Sequence, residues 1–400
     1  MRVESPKMTV IDLFSGCGGI ALGLWKSGWR GLFAVEKNPF AFATLKHNLI
    51  EKKQHFDWPA WLPVAPHDIN ELLSTYIEEL RALQGTVDLV AGGPPCQGFS
   101  MAGKRIESDE RNSLVFSYIE FIKIVKPKMI LFENVKGFTC PFKSGKGGKA
   151  FSHIVINKLQ EIGYNVSSEI IDFSEYGVPQ RRKRFILVGT LSSERIELKL
   201  EIDKLKIDFL KKKGLKEKVT VREAISDLLM SNGMVPTPDR LGFNSGVYGE
   251  IMSDYQTYMR QETHSCFVDS HSYANHQPQT IDLFSKIIQN CKPGVRIGGC
   301  DRVRFGIKKR GITLMDADGV SPTLTSHPDD YVHYCESRIL TVREYARLQT
   351  FPDWFEFKKK YTTGGSLRKV EVPRYTQIAN AVPPLFAELV GLCLANKKSI

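Results

Sequence analysis

The stretch of this chain that says most about its chemistry contains a single cysteine thiol. Residues 92–100 read Gly-Gly-Pro-Pro-Cys-Gln-Gly-Phe-Ser and follow an apolar run, Val87 to Ala91, that has the pattern of a buried parallel strand. The glycines allow a sharp turn at the strand's end, and the prolines then restrict the backbone. Cys96 is therefore expected at the carboxyl end of a strand, where open α/β sheets bind ligands. A buried structural cysteine is the alternative interpretation.

A glycine-rich turn near the start of the chain predicts a second part of the same cleft. The apolar strand candidate Met8 to Leu13 leads into this turn and then into a helix. Glu36 lies 20 residues beyond Gly16, at the end of another short strand, and a carboxylate at this spacing can accept both ribose hydroxyls. Asp68 ends a further possible strand. These residues together describe a cleft for an adenosine-containing cofactor.

The glycine spacing argues against a dinucleotide in this cleft. It does not match G-x-G-x-x-G, and the loop carries no basic residue to meet a pyrophosphate. A nucleoside without phosphates, such as S-adenosylmethionine, suits the turn better than NAD does.

An acidic residue is expected beside the thiol. Glu133 follows the apolar strand Met129 to Phe132, and so it should stand at the same carboxyl edge of the sheet as Cys96. An acid at the start of a helix, where it would satisfy backbone donors, is the alternative.

These blocks, in this order, resemble those of bacterial DNA (cytosine-5) methyltransferases of the restriction-modification type. The resemblance covers most of residues 8–190 and 320–395. The segment between them matches less well, as expected for a variable target-recognition region. The blocks are Asp12 to Gly19, Glu36, Asp68, Gly92 to Ser100, Phe132 to Val135, Gln180 to Arg184, Arg338 to Pro352 and Gln377 to Pro384.

The resemblance implies an α/β fold with two domains. One is a Rossmann-like, S-adenosylmethionine-dependent methyltransferase domain with a mixed sheet, expected to be discontinuous over residues 1–190 and 372–400. The other is a smaller, irregular target-recognition domain over residues 191–371. The strand candidates Val166 to Phe173 and Arg184 to Thr190 should complete the sheet.

The implied reaction methylates C5 of a cytosine flipped out of a specific duplex DNA sequence and leaves S-adenosyl-L-homocysteine. Carbon 5 is too weak a nucleophile alone, and addition of Cys96 at C6 would convert the ring to a reactive enamine. A protonated Glu133 would hydrogen-bond N3. Arg182 and Arg184, which alternate along an incipient strand, would bind near O2 and brace the site.

The resemblance also assigns residues around the reacting groups. Residues 97–112 would form a mobile loop that closes over the DNA, with a static surface loop as the alternative. The loop contacts would come from Gln97, Ser100 and Arg111. The cofactor pocket would be lined by Phe14, Ser15, Gly16, Cys17, Gly18, Gly19, Glu36, Asp68, Ile69, Pro95, Leu114, Asn380 and Val382. Three positions depart from the family's usual residues: Ala379 and His67 replace glycine, and Lys37 stands where some relatives place an aromatic that covers the adenine.

Other basic segments have two interpretations. Arg181 and Lys183 could equally belong to a basic loop that grips phosphate. The lysine-rich residues 198–218 are expected to form a solvated helix rather than a DNA-reading element. Residues 230–320 are expected to form recognition loops, and their cations could contact base edges or hold phosphates. These cations are Arg296, Arg302, Arg304, Lys308, Lys309 and Arg310.

Composition agrees with a DNA-binding enzyme. The 400 residues include 55 Lys and Arg against 44 Asp and Glu, a formal net charge of +11, which attracts nucleic acid. The 8 cysteines form no C-x-x-C pair, so neither a metal site nor a disulfide framework is expected. We expect a cytoplasmic monomer without a membrane segment that binds double-stranded DNA, with a cognate restriction endonuclease acting separately. A tRNA cytosine-5 methyltransferase and a non-catalytic DNA-binding paralogue are the alternatives. His271 and His276 are predicted to be structural.

Overall fold

The computed structural model describes residues 8–95, 113–141, 150–263, 267–307, 311–364, 367 and 370–397. The chain forms two compact units. The first comprises Met1–Asp172, Lys183–Ile207 and Phe386–Ile400, and the second comprises Phe173–Arg182 and Asp208–Leu385. These bounds differ from the predicted division at residues 191 and 371, and the function of each unit remains a prediction.

Strands and helices alternate along the first part of the described chain. The strands are β1 (Thr9–Leu13), β2 (Arg30–Val35), β3 (Leu89–Gly92), β4 (Met129–Val135), β5 (Asn165–Asp172), β6 (Lys183–Thr190), β7 (Met234–Pro236), β8 (Asn244–Val247), β9 (Phe267–Ser272), β10 (Thr313–Leu314) and β11 (Tyr331–Val332). The α-helices are α1 (Gly19–Lys26), α2 (Pro39–Leu45), α3 (Ile69–Thr75), α4 (Ile77–Ala82), α5 (Ser113–Val125), α6 (Phe151–Glu161), α7 (Leu198–Lys212), α8 (Val221–Ile225), α9 (Asp254–Arg260), α10 (Pro278–Asn290), α11 (Gly299–Arg304), α12 (Val342–Leu348), α13 (Arg374–Asn380) and α14 (Pro384–Asn396).

The first unit is built on a six-stranded mixed sheet, as predicted. Its strand order is β2-β1-β3-β4-β6-β5. The first four strands are parallel, whereas β6 runs antiparallel to both β4 and β5. The carboxyl ends of β1 to β4 therefore share one edge. Because β6 runs the other way, it begins at that edge, with Arg184 paired to Val135.

Apolar periodicity explains how the helices cover this sheet. On α5 the buried residues Val115, Ile119, Ile122 and Val125 recur at spacings of three and four, which places them on one helix face. They join a core that includes residues of β1, β3 and β4. Burying each such side chain contributes about 1.5–3 kcal/mol. The helices are thus fixed by burial, and the sheet edge is left to the loops.

The second unit contains more regular structure than was predicted for residues 230–320. It holds an antiparallel sheet, β7-β8-β9, and a parallel pair, β10-β11. Helix α10 begins with Pro278 in its first turn and packs by Phe284, Ile287 and Ile288. The expectation of loops was wrong for this segment, because Phe284, Ile287 and Ile288 stand at i, i+3 and i+4 and so share one helix face.

Helix α12 of the second unit begins with a capping box. Thr341 caps it, and the Thr341 hydroxyl and Glu344 carboxylate satisfy each other's backbone N–H groups. Arg347, fully buried on this helix, donates to both carboxylates of Asp227 and Asp353. A buried charge network therefore holds the centre of the second unit.

One stretch of the described chain, Arg374–Asn396, is long and apolar enough to cross a membrane by length and composition alone. Its most apolar window has a mean hydropathy of 1.7, but 78% of that window is buried inside the protein. The backbone also leaves the helical conformation at residues 381–383. Core helices commonly show these properties.

Candidate active site

The turn after β1 lies at the carboxyl edge of the first unit's sheet. Phe14, Gly16 and Gly18 adopt positive φ angles of 56°, 57° and 95°. A β-carbon on Gly18 would lie 2.8 Å from Leu49, so both backbone conformation and space favour glycine there. The Ser15 N–H donates to the Val35 carbonyl at 3.1 Å, which ties this turn to the end of β2. Gly19 then begins α1, and Cys17 is buried.

Glu36 links this glycine turn to the next loop. Its Oε2 accepts from the Gly16 N–H at 2.9 Å, and its Oε1 accepts from the Asn38 N–H at 2.6 Å. Burial raises the pKa of Glu36, and the backbone donors oppose this effect. Each carboxylate oxygen can accept a second hydrogen bond. The carboxylate is thus held in one orientation at the cleft and can still meet a ligand.

Asp68 caps a helix, and the prediction that it ends a strand was wrong. The segment before it contains Pro63 and Pro66, which have no N–H group for a strand ladder. Asp68 Oδ1 accepts from the Asn70 N–H at 2.8 Å at the start of α3, where Ile69 is buried. Burial opposes ionisation of Asp68, but hydrogen bonds from Lys37 and from the helix start outweigh it and lower the pKa.

A buried acid that the sequence analysis did not single out lies beneath the glycine turn. Asp12 is the next-to-last residue of β1 and is only 1% exposed. Burial raises its pKa to about 8, the Ala21 N–H opposes this effect, and the charge of Glu36 adds to it. An acidic residue inside the apolar run Val10 to Leu13 was the available signal, because such positions seldom accept a charge.

The glycines before the predicted nucleophile are required by space rather than by φ. Neither has a positive φ. A β-carbon on Gly92 would lie 2.9 Å from the Tyr118 ring, and one on Gly93 would lie 3.0 Å from Glu133 Oε2. These glycines were expected to permit a sharp turn, and that reason was wrong. They are needed because a side chain at either position would crowd Tyr118 or Glu133. Residues 92–95, Gly-Gly-Pro-Pro, are called the strap below. Asn134 Nδ2 donates to the carbonyl of its third residue, Pro94, at 3.3 Å and anchors it.

Glu133 forms an ion pair in the sheet, which excludes the alternative that it begins a helix. It lies within β4 and pairs with Ile186 of β6. The Arg184 Nε is 2.9 Å from Glu133 Oε1, and the two side chains are 14% and 13% exposed. Burial lowers the pKa of Arg184, and the Glu133 carboxylate opposes that effect. A desolvated ion pair of this kind fixes the direction of the carboxyl group.

Arg182 and its neighbours belong to the second unit. The Arg182 side chain is 2% exposed, and its carbonyl accepts from the Phe173 N–H at 3.0 Å. Gln180 Oε1 accepts from the Leu324 N–H at 3.1 Å, and the Arg181 N–H donates to the Ser321 carbonyl at 2.7 Å. This block is thus a structural brace within its unit as well as a basic segment.

The remaining predicted residues differ in exposure. Pro95 is exposed, Leu114 is half-buried on α5, Asn380 is exposed at the end of α13, and Val382 is buried. Seven of the predicted site residues lie outside the described part of the chain. They are Cys96, Gln97, Ser100, Arg111, Lys308, Lys309 and Arg310.

Four of the cysteines that the structure describes are poorly suited to act as nucleophiles. Burial raises the pKa of Cys17, Cys291, Cys335 and Cys393, which disfavours the reactive thiolate. His271 has the structural role predicted for it. Its ring nitrogens meet the Thr341 hydroxyl at 2.7 Å and the Leu228 carbonyl at 2.9 Å.

Comparison with known proteins finds one family over almost the whole chain. The model of the family described as C-5 cytosine-specific DNA methylase matches residues 8–394. The chain is 30% identical to the Type II methyltransferase M.DdeI of Desulfomicrobium norvegicum, over 96% of this chain and 88% of that protein. It is 34% identical to the Type II methyltransferase M.PspPI of Psychrobacter sp., over 100% of this chain and 80% of the relative. In fold it is similar to a crystal structure described as a prophage-encoded DNA modification methyltransferase (E. coli), with a TM-score of 0.67, 24% identity, and coverage of 98% and 100%.

Proposed function

Because this chain belongs to the C-5 cytosine-specific DNA methylase family and is a DNA (cytosine-5) methyltransferase, we propose that it acts through a covalent Cys96 intermediate on a flipped-out cytosine. The observation that carries the proposal is the Glu133–Arg184 pair. This pair stands at the sheet edge where β3 leads into the Gly-Gly-Pro-Pro strap, and Cys96 follows Pro95 directly. Glu133 Oε2 closely approaches Gly93 of that strap.

The thiolate of Cys96 would add to C6 of cytosine. The new S–C6 bond pushes the C5=C6 electron pair toward C5, which then attacks the methyl carbon. S-adenosyl-L-methionine supplies that methyl group as an electrophile and leaves as S-adenosyl-L-homocysteine. Loss of the C5 proton to a base and expulsion of the thiolate restore the aromatic ring. The two-step route replaces direct methylation of an unreactive carbon.

Glu133 and Arg184 would stabilise the ring while Cys96 is attached. The Arg184 Nε is 2.9 Å from Glu133 Oε1, so Oε2 is the oxygen that remains for the base. A protonated Oε2 could donate to N3 of cytosine, and the carboxyl could accept from the 4-amino group. Arg182, also buried, would act near the cytosine O2.

The acids of the cleft fit an adenosine cofactor. Position Gly16 has open space where a β-carbon would stand, which leaves room for a nucleoside beside the backbone. Glu36 would accept from the ribose hydroxyls, and Asp68 would accept from the remaining strong donor of adenosine, the 6-amino group. Pro95 and Leu114 would also line this pocket.

The substrate is proposed to be double-stranded DNA with a specific sequence. A stacked cytosine shields its C6, so the base must leave the duplex at a cost of a few kcal/mol. Gln97, Ser100 and Arg111 would contact the DNA. We further propose that the chain protects host DNA against a separate endonuclease and acts as a monomer, as its resemblance to restriction-modification methyltransferases implies.

The test compares methyl transfer by wild type and Cys96→Ala from labelled S-adenosylmethionine to duplex DNA and to tRNA. We expect incorporation into DNA by wild type alone. An oligonucleotide with 5-fluorocytosine should trap the wild-type adduct, because the fluorine cannot leave as a proton does. Incorporation only into tRNA would contradict the DNA assignment, and equal incorporation by Cys96→Ala would contradict the nucleophile. Bisulfite sequencing of DNA from expressing cells would then give the methylated sequence.

A further inference from the structure

Lys37 and Asp68 form an ion pair at the proposed cofactor site. Lys37 Nζ lies 2.7 Å from Asp68 Oδ2, and the two side chains are 78% and 14% exposed. Asp68 Oδ1 accepts from the Asn70 N–H at 2.8 Å. Both oxygens of this carboxylate are therefore already engaged by the protein.

The position of Lys37 makes this pair more than a surface contact. Lys37 directly follows Glu36 at the end of β2, and Asp68 begins α3. The pair thus joins the two loops that carry the acids proposed for ribose and adenine. The Asp68 carboxylate, with a smaller effect from Glu71, raises the pKa of Lys37, so the ammonium stays charged at neutral pH.

The pair is weak enough to open when a ligand binds. Ion pairs with exposed partners contribute about 0.2–1 kcal/mol, because water competes for the charges and a long side chain must be ordered. Lys37 is largely exposed and can swing into solvent. The Asp68 backbone and its cap bond to Asn70 need not move.

We propose that Lys37 is a latch that competes with the adenine 6-amino group for Asp68 Oδ2 and thereby sets cofactor affinity and purine specificity. This inference rests on the proposed function, in which Asp68 accepts from the cofactor. A 6-amino purine must share Asp68 Oδ2 with Lys37 or displace the ammonium, and either weakens the ion pair. A 6-oxo purine presents an acceptor instead, so Lys37 can donate to it while remaining beside Asp68.

The experiment measures binding of S-adenosylhomocysteine and S-inosylhomocysteine to the full chain by calorimetry. Lys37→Met should bind the adenosyl ligand about 1.4- to 5-fold more tightly at low salt, the factor that corresponds to a weak ion pair. The same variant should bind the inosyl ligand more weakly. Higher salt should reduce the adenosyl difference because salt screens the competing pair. Lys37→Arg should resemble wild type.

Two controls separate the latch from a general charge effect. Lys199 forms a matched pair with Asp203 at 2.7 Å on α7, and Lys199→Met should leave both affinities unchanged. Asp68→Asn keeps a helix cap but removes the competing charge, so adding Lys37→Met should have no further effect on the adenosyl ligand.

The outcomes distinguish this proposal from the one it rests on. Equal or weaker adenosyl binding by Lys37→Met, or the same change for both ligands, would overturn the latch. Failure of every variant, wild type included, to bind S-adenosylhomocysteine would instead overturn the proposed cofactor. Circular dichroism confirms that each variant is folded.

Discussion

Arg184 and Glu133 meet diagonally across two antiparallel strands. Arg184 is directly opposite Val135, and Glu133 lies two residues before Val135 on the same face of β4. This register gives the 2.9 Å contact between Arg184 Nε and Glu133 Oε1. The carboxyl group is thus oriented by a neighbouring strand rather than by a flexible loop, which suits a group that must meet a base in one geometry.

Removing this guanidinium should lower methyl transfer under conditions in which the variant remains folded, although losing one partner of a mostly buried pair also costs stability. Arg184→Met leaves Glu133 without its orienting donor, and we expect kcat to fall by about 10²-fold or more, the scale of a positioned acid. Arg184→Lys should recover only part of this, since one ammonium cannot reproduce the planar guanidinium. Steady-state kinetics and 5-fluorocytosine trapping measure the effect. Lys123→Met, which removes an exposed pair with Glu120 on α5, is the control and should retain wild-type kcat.

Alanine substitutions at the two adjacent glycines of the strap should affect different properties, one the activity and the other the stability. Gly93→Ala would place a β-carbon 3.0 Å from Glu133 Oε2, so it should reduce methyl transfer with little loss of stability. Gly92→Ala would crowd the Tyr118 ring at 2.9 Å and the Leu13 carbonyl at 3.0 Å, so it should destabilise the fold by about 1–3 kcal/mol. Activity assays and urea unfolding separate the two effects. Gly364→Ala, with open space around the site, is the control. A reversed pattern would contradict the assigned contacts.

The sequence predicted the strands around the proposed cofactor site and missed several contacts that hold its residues. Apolar runs located β1, β3 and β4, because each is buried on both faces and reads as continuous hydrophobic sequence. The role of Asp68 as a helix cap was missed because the apolar residues before it suggested a strand. Pro63 and Pro66, which lack the N–H groups of a strand ladder, argue against that strand. The contact between Gly93 and Glu133 could not be predicted either, because it joins the residue after β3 to a residue of β4 and arises only in the assembled sheet.

The buried charges of the second unit show the same limit. Arg347 lies on α12, and its partners Asp227 and Asp353 could not be inferred from local sequence. Asp227 is 120 residues away along the chain. Charged residues usually indicate an exposed face, so a fully buried arginine contradicts the usual pattern. Only the assembled fold brings its two carboxylates together.

Breaking this network should unfold the second unit. Arg347→Met would leave the buried carboxylates of Asp227 and Asp353 without their cation, and loss of one partner of a buried pair costs about 3–5 kcal/mol. We expect a lower urea midpoint. Arg222→Met is the matched control, because Arg222 pairs with Asp318 on the surface and should cost less than about 1 kcal/mol. Equal midpoints for the two variants would contradict the proposed importance of burial.

Asp12 should make stability fall as pH rises. Burial raises its pKa from 3.8 to about 8, so the folded protein keeps a proton that the unfolded chain releases. The stabilisation is fully present below the unfolded pKa and is lost progressively up to the folded value, at no more than about 1.4 kcal/mol per pH unit. Asp12→Asn stays neutral at every pH and should remove this slope. Urea unfolding at several pH values between about 5 and 8 measures the difference between wild type and variant, in which the contributions of other groups cancel. Asp282→Asn, at an exposed site on α10, should keep the wild-type slope. If Asp12→Asn also keeps it, Asp12 is ionised in the folded protein and a cation or donor must compensate its charge beneath the glycine turn.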